Sequence, residues 1–257
     1  MSTETQINGE PAPVLELRSL CKSFGGLHAT RDVTFSIMPG DRKAIIGPNG
    51  AGKTTLFNLL TGTFPPTSGK IIFDGKDITG TPANRVAHLG LARSFQRTNV
   101  FPAFSLLDNV WVAAFATGRS WNGLLFKKST EYPEATERAR AALSDVGLLA
   151  KAHIPAREIS HGEQRQLELA IALAAAPRVL LLDEPAAGLS QAEAQLMTAL
   201  LHRLDPSITL LIIEHDMDIA LEVARHVTVL HYGRVIADGP RETVRNDPTV
   251  REIYLGA

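Results

Sequence analysis

A glycine-rich segment that ends in lysine and threonine is the most direct sign of chemistry in this sequence. Residues 47–54 match the pattern GxxxxGK(S/T) at every fixed position, between a predicted strand and a predicted helix. Glycines let such a loop curl until its backbone N–H groups point at phosphate oxygens, and the helix that follows presents its positive end. Lys53 is expected to reach the β- and γ-phosphates of a nucleotide and Thr54 to offer its hydroxyl to Mg²⁺, whereas a plain helix-capping turn needs neither. The predicted nucleotide-binding residues are Gly47, Pro48, Asn49, Gly50, Ala51, Gly52, Lys53, Thr54 and Thr55.

Two carboxylates follow a short apolar run further along the chain. Val179–Leu182 is continuous and apolar, as strands buried on both faces of a parallel sheet are, and Asp183 and Glu184 come next. Ligands of open α/β folds bind at the carboxyl ends of such strands. We therefore expect Asp183 to hold Mg²⁺ through water and Glu184, which points elsewhere, to polarise the attacking water as a general base. A solvated acidic loop after an ordinary strand is the alternative.

The hydrophobic pattern predicts the elements that hold these residues. Two segments in which apolar and polar residues alternate, as in half-buried strands, come before any predicted helix, which suggests an antiparallel sheet. Short, continuous apolar runs later in the chain, separated by a helix with one apolar face, indicate the parallel sheet of an α/β fold. Strands are predicted at Val14–Leu17, Val33–Ile37, Lys43–Gly47, Lys70–Phe73, Val179–Leu182 and Thr209–Ile213, and helices at Lys53–Gly62, Ala135–Leu149 and Gln191–Leu204.

A change in residue composition and periodicity between the two strand regions predicts a helical subdomain. Residues from about 99 to 176 contain both tryptophans, a pair of lysines and several helical runs. We expect one α/β domain over residues 14–257, interrupted by this subdomain, after a flexible segment over residues 1–13. A turn at Tyr232-Gly233 and a final helical piece are predicted near the end of the sequence.

Composition excludes several classes of protein. Of the 257 residues 44% are hydrophobic, and 26 basic against 27 acidic side chains give a net charge of −1. This balance is typical of a folded domain and argues against a nucleic-acid binder with a broad basic face. The single cysteine, Cys21, excludes an intramolecular disulfide and a cysteine metal cluster. The first 13 residues lack the basic residues of a secretory signal, and the longest apolar run, Leu169–Ala176, is too short to span a bilayer, so we expect no membrane-spanning segment.

Residues between the phosphate loop and the acidic strand end distinguish families that share both features. The segment Ser160-His161-Gly162-Glu163-Gln164 opens a helical stretch and resembles the LSGGQ signature of ATP-binding cassette (ABC) proteins. Gln96, His215 and Phe24 fall where that family has its Q-loop glutamine, its switch histidine and the aromatic residue that stacks on adenine. Each feature also has a simpler explanation: a helix-capping box, a loop amide, one of eight histidines beside a strand, and a core aromatic. All of them together, in the right order, favour the family.

The resemblance extends from about residue 14 to 256 and is closest to the ATP-binding subunits of branched-chain amino-acid importers, with importers for urea and amides also similar. It is carried by Gly90–Gln96, Asp183–Leu189, Glu214–Met217 and Tyr254–Gly256. It implies a P-loop ATPase core with an N-terminal antiparallel β subdomain and with ATP and Mg²⁺ as cofactors. It also implies catalytic roles for Glu184, His215 and Gln96, and metal binding by Thr54, Gln96 and Asp183.

The resemblance implies partners as well. Two ATPase subunits, identical or homologous, would enclose ATP between them, with Ser160, Gly162 and Gln164 of one subunit meeting the ATP on the phosphate loop of the other. Residues 101–108 would transmit closure to two membrane permease subunits supplied by a solute-binding protein, so the chain would work at the cytoplasmic face of a bacterial-type inner membrane, without nucleic acid. A soluble ABC ATPase, which commonly has two cassettes or a long insert, and a small-molecule kinase, which has no use for residues 160–164, are the alternatives.

The sequence departs from the family pattern at two places. The signature begins Ile159-Ser160-His161 where the general family has Leu-Ser-Gly, and Ser190 stands after the acidic pair where many members have aspartate. Ser190 and Glu193 form a second capping box, which by itself explains the serine. The departures leave ATP binding unaffected and leave open how residues after Glu184 bond across the dimer.

Overall fold

Strands and helices alternate around two sheets in the residues that the computed structural model describes, which are 12–93, 100–116 and 132–255. In chain order the elements are β1 (Leu15–Phe24), β2 (Leu27–Ile37), β3 (Arg42–Ile46), α1 (Lys53–Leu60), β4 (Ser68–Phe73), β5 (Lys76–Asp77), α2 (Ala83–His88), β6 (Leu91–Arg93), α3 (Leu106–Ala116), α4 (Pro133–Asp145), α5 (His161–Ala174), β7 (Val179–Asp183), α6 (Gln191–Arg203), β8 (Thr209–Ile213), α7 (Met217–Val223), β9 (His226–His231), β10 (Arg234–Pro240), α8 (Arg241–Arg245) and α9 (Pro248–Leu255). The flexible segment predicted for residues 1–13 lies outside the described residues except at its last two positions, and it stays a prediction.

The two sheets differ in topology. The first is antiparallel and has the strand order β2-β1-β4-β5. The second has the order β10-β9-β3-β8-β7-β6, and all its neighbouring strands are parallel except the β9–β10 hairpin. Parallel neighbours need crossover connections, so helices link most of them. The predicted antiparallel beginning and parallel core are both confirmed.

Strand β7 shows why its sequence is apolar throughout. Val179 and Leu181 pack into the core shared with the antiparallel sheet and α1, whereas Leu180 and Leu182 pack into the core shared with α3, α4 and α5. Because both faces of the strand are buried, a polar residue is tolerated only at its end. The strand therefore delivers Asp183 to the carboxyl edge of the sheet.

Helices α3, α4 and α5 pack on one another and make up the described part of the predicted helical subdomain. Helix α4 ends at Asp145 and not at the predicted Leu149, because Gly147 adopts a left-handed conformation with φ of 77° just beyond it. Trp121 and the lysine pair of this region lie outside the described residues, and the subdomain's limits at residues 99 and 176 stay a prediction. Among the described residues, no helix combines the length and apolar character that a bilayer span requires.

The first two strands are longer than the alternating pattern predicted. Their pairing shifts register near Leu20 and Lys22, and Ser19 and Asp32 have positive φ angles of 48° and 54°. Such irregularities interrupt the alternation of buried and exposed residues, so the sequence pattern marks only the regular ends of the hairpin. The predicted turn at Tyr232-Gly233 is confirmed, with φ angles of 46° and 78°.

Candidate active site at the carboxyl edge of the parallel sheet

The phosphate loop lies between β3 and α1, as predicted, and its neighbours require two of its glycines. A Cβ on Gly47 would lie 2.2 Å from the carbonyl oxygen of Leu230, and one on Gly52 would lie 2.3 Å from that of Ala29. Gly52 also has a φ of 104°, which side chains rarely adopt. The Gly233 amide donates a hydrogen bond of 2.9 Å to the carbonyl of Ala51. The loop is thus held between β2 and the β9–β10 turn.

Lys53 is a buried side chain that curls back over this loop. Its Nζ donates to the carbonyl oxygens of Gly47 at 2.6 Å and Pro48 at 3.2 Å. Burial lowers the pKa of Lys53, and the nearby carboxylates of Glu184 and Asp183 oppose the shift. The ammonium group therefore lies among the loop carbonyls on the side of the acidic residues. Thr54 is exposed and Thr55 half-buried in the first turn of α1, so the Thr54 hydroxyl is accessible to a bound cation.

Asp183 ends β7 as a buried carboxylate that is only partly paired. Its Oδ2 accepts a hydrogen bond from Arg93 Nη2 at 3.4 Å, and its buried Oδ1 has no hydrogen-bond partner among the described residues. Burial raises the pKa of Asp183, against the opposing effect of Arg93. Mg²⁺ typically binds one or two carboxylates together with substrate phosphates and water, so the unsatisfied carboxylate oxygen fits a Mg²⁺ site at this edge.

Glu184 and His215 lie side by side at the same edge. Glu184 has a φ of 49°, and its backbone N–H donates to the carbonyl of Ile213, the last residue of β8, at 2.8 Å. The left-handed conformation turns its side chain away from that of Asp183 toward His215, whose Nδ1 lies 3.7 Å from Glu184 Oε1. A non-glycine residue in this region is uncommon and is found at functional sites. Two of the three side chains predicted as catalytic, Glu184 and His215, are therefore brought together.

Glu214 is a third acidic residue at this edge that the sequence interpretation did not single out. It is 1% exposed, and burial raises its pKa to about 7. Its Oε1 accepts a hydrogen bond of 3.4 Å from the Ala186 amide, and its Oε2 lies 3.9 Å from His215 Nδ1. Glu214 thereby ties the end of β8 to the loop that carries Glu184. Its position directly before His215, after a strand as apolar as β7, was the signal for it in the sequence.

Arg93 was also missed, because only its position on β6 brings it beside β7. Its guanidinium reaches Asp183, donates to Asn58 Oδ1 at 2.9 Å, and lies 4.5 Å from the centre of the Phe57 ring. These contacts link the acidic strand end to α1, the helix that begins with Lys53. Gln96, three residues further on, lies outside the described residues, so its catalytic and metal-binding roles stay predictions.

The signature segment begins α5, as its pattern predicted. Ser160 is the N-cap: its Oγ accepts from the Glu163 amide at 3.2 Å, and the Glu163 carboxylate accepts from the Ser160 amide at 3.1 Å. Glu163 also pairs with Lys151. Gly162 is buried and Gln164 half-buried. Among the described residues, no hydrogen bond or ion pair joins Ser160, Gly162 or Gln164 to the phosphate loop.

Phe24 is at the tip of the β1–β2 hairpin and is 47% exposed, so it is not a core residue. Its ring meets Phe64 edge to face with 5.4 Å between centres, and Lys22 Nζ lies 5.1 Å from it. Ala29, which touches Gly52, is on the strand that leaves this hairpin. An accessible aromatic face therefore lies on the hairpin that borders the phosphate loop. Adenine stacking by Phe24 stays a prediction.

Comparison with known families agrees with this geometry. Residues 30–187 match the model of the ABC transporter family, and residues 234–257 match that of the branched-chain amino acid ATP-binding cassette transporter. The chain is 38% identical over 253 residues to the high-affinity branched-chain amino acid transport ATP-binding protein BraF of Pseudomonas aeruginosa, covering 95% of this chain and 98% of that protein. It is 36% identical over 252 residues to LivG of Escherichia coli, which carries the same description, with the same coverage of both chains.

Solved structures are similar over nearly the whole chain. A nucleotide-free ATP-binding cassette from an ABC transporter has a TM-score of 0.81 at 33% identity, covering 96% of this chain and all of that one. The ADP conformation of MJ1267, an ATP-binding cassette of an ABC transporter, has a TM-score of 0.82 at 33% identity, with the same coverage. The predicted P-loop ATPase fold is therefore confirmed, and the chain belongs to the ABC transporter family of ATP-binding proteins.

Proposed function

We propose that this chain is the ATP-hydrolysing subunit of a membrane importer for branched-chain amino acids or a related small solute, such as urea or an amide. One observation carries the ATPase assignment: the phosphate loop, the pair Asp183-Glu184 and His215 follow the neighbouring strands β3, β7 and β8 at one edge of the sheet. The match of residues 234–257 and the names of BraF and LivG support the class of cargo.

The chemistry follows from the positions of these side chains. The loop amides and Lys53 bind the β- and γ-phosphates, and Phe24 stacks on the base. Thr54 and Asp183, with Gln96, hold Mg²⁺, which when bound neutralises charge on the phosphates. Glu184 accepts a proton from the attacking water, and His215 beside it stabilises the charge that develops on the γ-phosphate. Each catalytic group thus acts on a different part of the nucleotide or water.

Hydrolysis takes place in a dimer of ATPase subunits, either two copies of this chain or this chain with a homologue. The signature helix begins with backbone N–H groups and the Ser160 hydroxyl, which suit a γ-phosphate. Since no hydrogen bond joins them to the phosphate loop of their own chain in the described residues, we assign them to the site of the partner. Closure of the dimer then assembles both sites together.

The permease contacts residues 101–108, at the entrance to α3. Phe101 and Phe104 are stacked with 5.1 Å between ring centres, and both are about half exposed. The buried Asn109 holds this segment: its Oδ1 accepts from the Phe101 amide at 2.7 Å, and its Nδ2 donates to the carbonyl of Ser105 at 2.9 Å. An exposed aromatic pair on a rigid support suits a partner that inserts a short helix. The chain thus works at the cytoplasmic face of the cell membrane.

The experiment that tests the proposal is to tag this chain in its native cell, solubilise the membranes gently and identify the proteins that co-purify. We expect multi-span permease subunits and a solute-binding protein to co-purify with the chain. That binding protein is then titrated with leucine, isoleucine, valine, urea and short amides by calorimetry. Purification with soluble assemblies, or without membrane proteins, would overturn the importer assignment and leave the ATPase assignment standing.

A further inference from the structure

The beginning of the signature helix is covered by a side chain from the next helix. A Cβ on Gly162 would lie 2.5 Å from Glu193 Oε1 and 2.9 Å from Glu193 Cδ, so the carboxylate rests directly on the Gly162 backbone. Gly162 is buried, although it lies in the first turn of α5. A larger residue at position 162 would displace Glu193, which is a structural reason for the glycine.

Glu193 is held in this position by the N-cap of its own helix α6. Its Oε2 accepts hydrogen bonds from the Ser190 amide at 2.9 Å and the Ser190 hydroxyl at 2.7 Å. The pKa of Glu193 is lowered mainly by these bonds, and further by the Gly162 amide and by His161. The carboxylate is therefore an anion at neutral pH, and one oxygen is left to face the signature helix.

Ser190 and His161, both of which depart from the family pattern, border this contact. Ser190 supplies the hydrogen bonds that hold the carboxylate, and the His161 side chain lies beside Gly188, whose added Cβ would be 3.4 Å from His161 Nε2. Gly188 has a φ of 77°, so the loop after Glu184 can pass this close to α5. The two departures are thus parts of one contact between the signature and that loop.

The Glu193 carboxylate lies beside the Gly162 backbone in the first turn of α5, the helix end to which the proposed function assigns the partner's γ-phosphate. Helix N-termini attract anions through their N–H groups and the helix dipole, and two anions close together at one helix end repel each other. We propose that the Glu193 carboxylate occupies the position on the signature helix where the γ-phosphate of the ATP bound to the partner subunit would lie. It must move away from this position before the ATP-bound dimer closes. The inference rests on the proposed function. It makes Glu193 a positioning residue that raises the ATP concentration needed for closure.

The test compares ATP-driven dimerisation in the Glu184→Gln background, in which ATP is bound but not consumed. We expect Glu193→Gln to lower the ATP concentration for half-maximal dimerisation about five- to ten-fold by analytical ultracentrifugation, because a neutral amide competes less well than a charged acceptor. Glu193→Asp, which keeps the charge but withdraws it from Gly162, should shift the midpoint in the same direction. Glu137→Gln, on the exposed face of α4, removes the same charge and should leave the midpoint unchanged.

A purely structural role for Glu193 predicts the opposite sign, since loss of a brace would weaken dimerisation and lower the melting temperature. Weaker or unchanged dimerisation in both Glu193 variants would therefore overturn the inference. Binding of a fluorescent ATP analogue to the isolated subunit separates it from the proposed function. If that binding and dimerisation of the background protein are intact, only the role of Glu193 is wrong; if the analogue does not bind, the ATPase assignment fails and this inference fails with it.

Discussion

Lys53 combines a cost to the fold with the role proposed for it in phosphate binding. The residue is 6% exposed, and burial lowers its pKa. A buried charge is retained at such a cost when it meets an opposite charge, and the triphosphate supplies one. Asp183, a buried carboxylate with an unsatisfied oxygen, has the corresponding need for a cation. In the proposed function, nucleotide would satisfy Lys53 and Mg²⁺ would satisfy Asp183.

We predict that Lys53→Ala abolishes ATP binding, because the charge of the β- and γ-phosphates is left uncompensated. Lys53→Met, which keeps an apolar side chain of similar length, should lose ATP binding to the same extent and have an equal or higher melting temperature, since a buried charge is removed. Equilibrium binding of a fluorescent ATP analogue and thermal melts measure both effects. Near-normal ATP turnover in either variant would contradict the assignment of residues 47–54 as a phosphate-binding loop.

Glu184→Gln is expected to keep ATP binding and stop hydrolysis. The amide has nearly the same shape as the carboxylate but cannot accept the proton of the attacking water, so the rate should fall at least about 100-fold. ATP should then trap a stable dimer, visible by size-exclusion chromatography. Glu222→Gln on α7 is the matched control. If Glu184→Gln hydrolyses ATP as the wild type does, another group is the base.

Phe24→Ala should weaken binding of ATP more than binding of inorganic triphosphate, because only ATP has a base to stack. The loss of one stacking contact corresponds to about 1–3 kcal/mol. Competition of each ligand against the fluorescent analogue measures the two affinities. Equal losses for ATP and triphosphate would mean that Phe24 supports the hairpin and does not contact the base.

The helix N-termini differ in how they are capped, which suits them to two different roles. At α1 the N-cap is Gly52, which offers no side chain and leaves the helix end open to a phosphate. At α5 and α6 the N-caps are Ser160 and Ser190, each with a complete capping box. A capping box satisfies two N–H groups within the helix, so it gives these ends stability as well as a hydroxyl. Because a capping box explains a serine at either position, Ser160 and Ser190 fit a structural role as well as a functional one.

Replacing Asn109 in α3 should separate coupling to the permease from catalysis at the ATP site. Asn109→Ala removes hydrogen bonds to the Phe101 amide and to the carbonyls of Phe101, Phe104 and Ser105, and should cost about 1–3 kcal/mol of stability. ATP binding should persist, because the phosphate loop is untouched. Co-purification with the permease should fall several-fold, while Asn246→Ala on the surface near α8 leaves it unchanged. Normal permease recovery would show that residues 101–108 are not the contact.

At the scale of the whole molecule, three acidic residues at the carboxyl edge of the parallel sheet lie near the ammonium group of Lys53. They are Asp183, Glu184 and Glu214. Glu214 has an ordinary pKa of 4.5 when unfolded and about 7 when folded, so between these values the folded protein binds a proton that the unfolded chain does not. Stability therefore falls as the pH rises through this window, and the loss is complete above about pH 7. The buried carboxylate is thus a pH-dependent cost of assembling the site.

Replacing this carboxyl by an amide tests the pH dependence. Glu214→Gln cannot ionise and still accepts the hydrogen bond from Ala186, so it should be more stable than the wild type by about 3 kcal/mol at pH 8 and by less than about 1 kcal/mol at pH 5. Chemical denaturation in EDTA at pH 5, 6, 7 and 8 measures the difference, with Glu137→Gln as the control. A stability difference that does not change with pH would contradict the raised pKa.

Local patterns were sufficient for much of this protein. Gly47–Thr54, the apolar run before Asp183 and the capping box at Ser160 each act through neighbours in the sequence, so their elements could be predicted from spacing alone. The bounds of α4 and of the β1–β2 hairpin were less well predicted, because Gly147 and the register shifts near Leu20 override periodicity at single positions.

Only the tertiary structure decided which distant residues meet. Strand order brings Arg93 to Asp183 and Glu214 to the loop after Glu184, and the packing of α5 against the start of α6 brings Glu193 to Gly162. These contacts join positions far apart in the chain, and neither composition nor periodicity records which strands become neighbours. Candidate residues for the chemistry could therefore be proposed from sequence, whereas the pairs that set their charge, strain and accessibility could not.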